Sequence, residues 1–202
     1  MCEAAAEWTS SDYPTKLIFK TTPDGSSTNT TALTLDSSQN ATFTGNITVS
    51  NLQPKIFLTD TNNTSDFSIQ NENGNLNLYD ETNSASRLRI IASGGAYFGG
   101  AIYGPVKTVS ALELDLSTGN YFIKTISGNS TFTFANPAAS GTVTSFTLEL
   151  THSSGTVTWP SEVKWNGDSA PTLTTGKTHL FMFVTDDGGS RYRGAALVDY
   201  VN

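Results

Sequence analysis

The first half of the chain carries too few large apolar residues to close a hydrophobic core of its own. Between Lys16 and Thr61 there are twelve of them, spread over several short strand-like segments. They supply one thin apolar face, whereas a folded domain buries its apolar surface between packed layers. Such a unit must stack on further repeats or present its apolar face to other copies of the chain, and we favour the second.

The composition predicts an all-β protein. Only 14% of the 202 residues are charged, against about 25% in a typical domain. Much of the remaining polarity comes from Thr, Ser and Asn, of which Thr favours strands and the other two favour turns.

The same composition argues against several function classes. A net charge of −7 disfavours binding to nucleic acid, because phosphate affinity comes from basic residues. The apolar runs are too short for insertion into a membrane. With one cysteine and two histidines, we expect no disulfide framework, no metal site and no cofactor.

The first half contains two segments of similar sequence. The segment Leu33–Gly45 matches Leu88–Gly100 at a constant offset of 55 residues. The strand onsets Lys16–Phe19 and Pro54–Phe57 are also alike, at a different offset. We interpret residues 15–100 as an extended shaft of two diverged β-rich repeats whose core forms between chains.

Residues 1–14 show no hydrophobic periodicity, and we predict an N-terminal tail or attachment segment there. Within it, Ala4–Trp8 is a candidate short amphipathic anchor, with a disordered tail as the alternative.

The second half has a different character. Longer alternating segments, such as Tyr121–Ile126 and Ser145–His152, are separated by turn signals every 8–12 residues. This pattern predicts seven or eight strands in a C-terminal β-sandwich, jelly-roll-like, over residues 101–202. We interpret the segment Gly99–Gly104 as the boundary between shaft and head.

Several segments of the sequence are typical of a known group of proteins. In the second half they are Gly128–Pro137, Phe146–Leu150, Val157–Trp165 and Ala170–Gly189. Through these segments the second half resembles the C-terminal heads of bacteriophage tail fibres and related virion appendage proteins. Through Leu17–Gly25 and Leu33–Asp36, the first half resembles the shafts of such fibres.

This resemblance implies a homotrimeric β-rich fibre on a virion. Its head would contact a glycan or protein of the host surface, and its N-terminal segment would contact other tail, baseplate or capsid proteins. Two other classes stay open, namely a non-catalytic carbohydrate-binding module or surface adhesin, and a polysaccharide-cleaving tailspike.

A receptor-binding surface is predicted in the head, where aromatic residues stand beside amide and carboxylate side chains. Aromatic rings stack on sugars, and the polar groups bind sugar hydroxyls. The alternative for the two tryptophans is that they belong to the core. The candidate residues are Trp159, Trp165, Asn166, Asp168 and Tyr192.

We do not predict an enzyme. Polysaccharide hydrolysis uses two carboxyl groups around a cleft, and nothing in the sequence pairs the candidates. Asp186 and Asp187 read as a hairpin turn, and Glu149 alternates with leucines and should face solvent. The remaining candidates are Glu162 and Asp168. The oxygen-rich segment Asp60–Asp66 lacks the glycine and glutamate of a calcium loop, so we expect a polar hairpin.

Overall fold

The structure is a computed structural model that describes residues 2–4, 6–7 and 9–201. Within these residues the protein is all-β, with five sheets, one short 3-10 turn and no α-helix. The chain divides into two compact units, Met1–Ala101 and Ile102–Asn202.

The first unit begins with a four-stranded antiparallel sheet in the order β1-β2-β3-β4. Its strands are β1 (Cys2–Ala4), β2 (Thr15–Thr21), β3 (Thr30–Leu35) and β4 (Ala41–Phe43). Strand β1 lies within the segment that we predicted to be an N-terminal tail, and it pairs with the start of β2. The anchor predicted over Ala4–Trp8 lies partly outside the described residues.

A five-stranded antiparallel sheet follows, again with the strands in sequence order. Its strands are β5 (Lys55–Leu58), β6 (Phe67–Glu72), β7 (Asn75–Asp80), β8 (Ala85–Ile90) and β9 (Ala96–Phe98).

The hairpins β3–β4 and β8–β9 have the same pairing 55 residues apart. Leu33 lies opposite Phe43 in one, and Leu88 lies opposite Phe98 in the other. The backbone N–H of Gln39 donates to Asp36 across the first turn, as Gly94 donates to Ile91 across the second.

The strand that precedes each of these hairpins carries a register shift at the same place. The shift follows Phe19 in β2 and Leu78 in β7. By the position of this shift, β2 aligns with β7 and not with β5, so the similar strand onsets at Lys16–Phe19 and Pro54–Phe57 occupy different positions in their sheets.

The two units differ sharply in what they bury. Among the described residues of the first unit, Ile18 is the one large apolar side chain that is buried. The second unit buries thirteen, and these form one connected cluster. Within the described residues of the single chain, only the second unit has a hydrophobic core.

The second unit contains ten strands, more than the seven or eight predicted, because several are only two or three residues long. They are β10 (Val106–Thr108), β11 (Glu113–Asp115), β12 (Tyr121–Ser127), β13 (Ser130–Thr131), β14 (Thr133–Ala135), β15 (Thr144–Ser154), β16 (Val157–Thr158), β17 (Val163–Trp165), β18 (Lys177–Thr185) and β19 (Tyr192–Tyr200).

Six of these strands form one sheet in the order β10-β12-β15-β18-β19-β17, and two short sheets, β11-β14 and β13-β16, accompany it. As far as β16, each strand of the large sheet is followed by one or two strands of the short sheets. Strands β10, β12 and β15 therefore pair in parallel, as do β11 with β14 and β13 with β16. A jelly roll consists of antiparallel Greek keys, so the jelly-roll part of the prediction is wrong.

The core of the second unit is an aromatic cluster between the large sheet and the short strands. Alternation places Phe146, Leu148 and Leu150 of β15 on the inner face of the large sheet. The ring of Phe134, on β14, lies 5.0 Å by centroid distance from the rings of both Phe146 and Phe183. Burial of these side chains stabilises the unit by roughly 1.5–3 kcal/mol each.

Candidate functional site

The two candidate tryptophans lie at the edge of the aromatic core. Trp159 directly follows β16 and Trp165 ends β17, and their ring centroids are 5.4 Å apart in an edge-to-face arrangement. Trp159 also stacks on Phe132, with 17° between the ring planes. Both tryptophans are half-buried, so they pack on the core and still reach the surface.

Three clefts surround these tryptophans, with volumes of about 470, 230 and 320 Å³. The largest is lined by Trp159, Pro160, Ser161, Glu162, Tyr192, Gly189, Phe132, Phe134, Thr131 and Thr133. Trp159 also lines the 230 Å³ cleft, and Trp165 lines the 320 Å³ cleft.

Tyr192 is a core residue and presents no ring face to a ligand. It is 3% exposed, and its ring packs edge-to-face on Phe134 with centroids 5.0 Å apart. Burial raises the pKa of its phenol, and the charges of Glu162 and Asp187 raise this pKa further. What Tyr192 offers at the surface is its hydroxyl end.

The remaining two candidates lie in the 3-10 turn Asn166–Asp168 and are exposed. Asn166 lines the 320 Å³ cleft together with Trp165. Asp168 has a positive φ of 59° and lines none of the three clefts. The structure therefore brings Trp159 together with Tyr192 and Trp165 with Asn166, and it leaves Asp168 apart.

Sequence reasoning did not recognise the buried pair of His152 and His179, whose ring centroids are 6.0 Å apart. The Nδ1 atom of His179 accepts a hydrogen bond from the Asp199 backbone N–H, so this ring is neutral. Burial lowers its pKa below the usual value. The signal was available, because His152 continues the inward alternation of Phe146 to Leu150.

Of the candidate carboxylates, only Glu162 lines one of the three clefts beside the tryptophans. Asp187 accepts hydrogen bonds from the Thr185 hydroxyl and the Arg191 backbone N–H, as expected for a hairpin. Burial works against ionisation there, yet these bonds hold the pKa of Asp187 below its usual value.

Glu149 accepts a hydrogen bond of 2.6 Å from the Tyr121 hydroxyl. This bond, followed by burial, raises the pKa of Tyr121. Glu162 lines the 470 Å³ cleft. No cluster of three or more potential metal-binding side chains occurs in the described part of the chain.

Comparison of the chain with protein-family models, with curated proteins and with solved structures finds no match. Within the described residues, no helical segment has the length and apolar character needed to cross a membrane.

Proposed function

We propose that this chain is a structural fibre protein of a bacteriophage virion. It would associate as a homotrimer through its first unit and attach the particle to the host surface through its C-terminal head. The single observation that carries the proposal is the exposed apolar face of the five-stranded sheet.

This face consists of large apolar residues that align across all five strands. Ile56 lies opposite Ile69, which lies opposite Leu78, and the row continues through Leu88 to Phe98. Eight residues of the face are between 39% and 53% exposed, namely Ile56, Leu58, Phe67, Ile69, Leu76, Leu78, Ile90 and Phe98.

The opposite face is polar and is covered by its own side chains. Ser68 and Asn77 are fully or almost fully buried there. The Lys55 ammonium forms an ion pair with Glu81 at 3.1 Å and lies 5.4 Å from the centre of the Tyr79 ring. A sheet with one solvated face normally turns its polar side to water. In the single chain the apolar face of this sheet is also open, which fits a surface that contacts other copies.

The exposed area is large enough to matter. At roughly 150 Å² for a large apolar side chain, the eight residues leave about 500 Å² of apolar surface on each chain. The largest contiguous apolar patch on a soluble monomer is about 300–600 Å² and is often a functional surface. In a closed cyclic oligomer, identical copies can cover such an apolar face on every chain.

The head and the resemblance supply the rest of the proposal. A second unit with its own core, interpreted as the β-sandwich head, can present binding clefts without help from neighbouring chains. Three such heads would bind a host surface with far greater avidity than one. Residues 1–14 would then attach the fibre to other virion proteins.

The test is the mass of the native full chain, measured by light scattering after size-exclusion chromatography. We expect three times the chain mass of 21.5 kDa, an oligomer that survives unheated SDS electrophoresis, and rod-like particles in negative stain. A compact monomer at all concentrations would refute the fibre, and a dimer would refute the trimer.

A monomeric carbohydrate-binding module or adhesin is the second candidate. The clefts beside Trp159 and Trp165 favour it, because they need only the second unit. A monomeric module does not explain the exposed apolar face of the five-stranded sheet. The same mass measurement distinguishes the monomeric module from the trimeric fibre. A tailspike would in addition release new reducing ends from host polysaccharide.

A further inference from the structure

We propose that the 470 Å³ cleft is a binding site for a neutral saccharide, in which the Tyr192 hydroxyl and the Glu162 carboxylate hold the sugar. The inference rests on the proposed attachment function and names the receptor chemistry for it. The cleft lies within the range of about 300–1,000 Å³ that is usual for ligand sites.

The first argument is the state of Tyr192. Its ring is fixed in the core, and within the described residues no group forms a hydrogen bond with its hydroxyl. The hydroxyl oxygen is not fully buried, so water or a ligand can form a hydrogen bond with it. Here the residue lines a cleft in which a ligand oxygen can accept the bond.

Gly189 lets the hydroxyl reach this position. A Cβ atom at Gly189 would stand 2.5 Å from the Tyr192 oxygen and 2.8 Å from Pro137 Cγ. The backbone of Gly189, with φ of +85°, therefore leaves room for the phenol at the cleft wall. Neighbouring strands hold the arrangement, since the Tyr192 N–H donates to the Glu162 carbonyl oxygen at 2.9 Å.

The second argument is the chemistry of the remaining lining. Glu162 is the one ionisable carboxylate among the lining residues, and it forms no ion pair within the described residues. It can accept bonds from ligand hydroxyls and it repels anions. Ser161 and two threonines add hydroxyls, while Trp159 and Pro160 add apolar surface. A sugar ring has hydroxyls that both donate and accept, together with an apolar C–H face, so it matches this set.

The lining also selects among sugars. A uronic or sialic acid would place its carboxylate beside Glu162 with no cation among the lining residues. Removing such a charge from water without a partner is costly. We therefore expect neutral hexoses or N-acetylhexosamines to bind and acidic sugars to be rejected.

The experiment uses the full chain and two panels of sugars, followed by saturation-transfer NMR and by titration up to tens of millimolar. The neutral panel is glucose, galactose, mannose and N-acetylglucosamine, and the acidic panel is glucuronic and N-acetylneuraminic acid. We expect at least one neutral sugar to bind. Tyr192→Phe should weaken binding about two- to tenfold, the effect of one neutral hydrogen bond, and Glu162→Gln should weaken it as well.

Tyr192→Phe also has a signature that a structural role would not produce. The lost hydroxyl has no partner within the protein, so the melting temperature should stay equal or rise. The matched control is Tyr121→Phe, which removes a hydroxyl bonded to Glu149. It should lower the melting temperature and leave sugar binding unchanged.

The site is refuted if no neutral sugar binds, if an acidic sugar binds better, or if Tyr192→Phe binds as well as the native chain. Fluorescent full chain applied to a panel of bacterial cells separates this failure from failure of the attachment function. Equal adhesion of native and Tyr192→Phe chains would overturn the site and leave attachment standing. A monomer that adheres to no cell but binds sugar through Tyr192 would support the site and overturn the attachment function.

Discussion

A single aspartate on the apolar face of the five-stranded sheet should dissociate the proposed oligomer. Replacing Ile56, which is about half exposed in the single chain, removes about 2 kcal/mol of apolar burial at the interface. It also brings a carboxylate into an apolar interior, at an effective cost of several kcal/mol. The sum is about 5 kcal/mol in each chain, so each substituted chain contributes between three and four powers of ten to the fall in the association constant.

The neighbouring residue provides a matched control for Ile56→Asp. Phe57 is also exposed, but it lies on the polar face of the same strand, where Lys55 approaches its ring at 5.5 Å. Phe57→Asp adds the same charge on the other side of the sheet and should leave the oligomer intact. Light scattering at micromolar concentration and unheated SDS gels measure both variants. Equal masses for the two variants would refute the assignment of the interface to the Ile56 face.

Three further outcomes are expected in the second unit. Phe181→Ala, at a fully buried position, should destabilise it by about 3–5 kcal/mol, measured by calorimetry; a loss below 1 kcal/mol would mean that the aromatic cluster is not the core. Gly155→Ala should lower the melting temperature strongly, because its φ is +90° and a Cβ there would overlap the Gly128 carbonyl, whereas Gly128→Ala has open space and should change little. Acidification should destabilise the unit: burial lowers the pKa of His179 in the native state, so the unfolded state binds the proton first, and stability present at neutral pH is lost as pH falls below the unfolded value of about 6.5. His179→Asn should flatten the melting temperature against pH; an unchanged slope would assign the effect to another group.

Much of the fold follows from local pattern. Alternation predicts the strand from Phe146 to His152 and its inner face, because successive side chains point to opposite sides. The small number of apolar residues before Thr61 predicts a unit without a core of its own, as found for the single chain. These properties are local, so the sequence contains them directly.

The neighbours of each strand could not be predicted in the same way. Alternation shows which side chains face inward, but not whether β12 pairs with β15 in parallel or antiparallel. That choice depends on how the chain crosses to the other layer between the strands, through segments such as Ser130–Ala135. The short strands there carry too few residues to show a period.

The candidate site was predicted in part for the same reason. Trp159 and Tyr192 were recognised as aromatic residues, but their proximity arises because Tyr192 begins β19 beside β17, which starts four residues after Trp159. The sequence gave no indication that the Tyr192 ring is buried and that only its hydroxyl remains accessible. Asp168 was included for its position near Trp165, yet it lines none of the three clefts, although Asn166 and Ser169 on either side of it line the 320 Å³ cleft.

The open face of the five-stranded sheet also bears on how the protein reaches its native state. A head with its own interior can fold in a unimolecular step at a rate independent of dilution. In the proposed oligomer, the first unit completes its interior only after chains meet, so its refolding rate should rise with protein concentration. Until the chains meet, its open strands are exposed to misassembly.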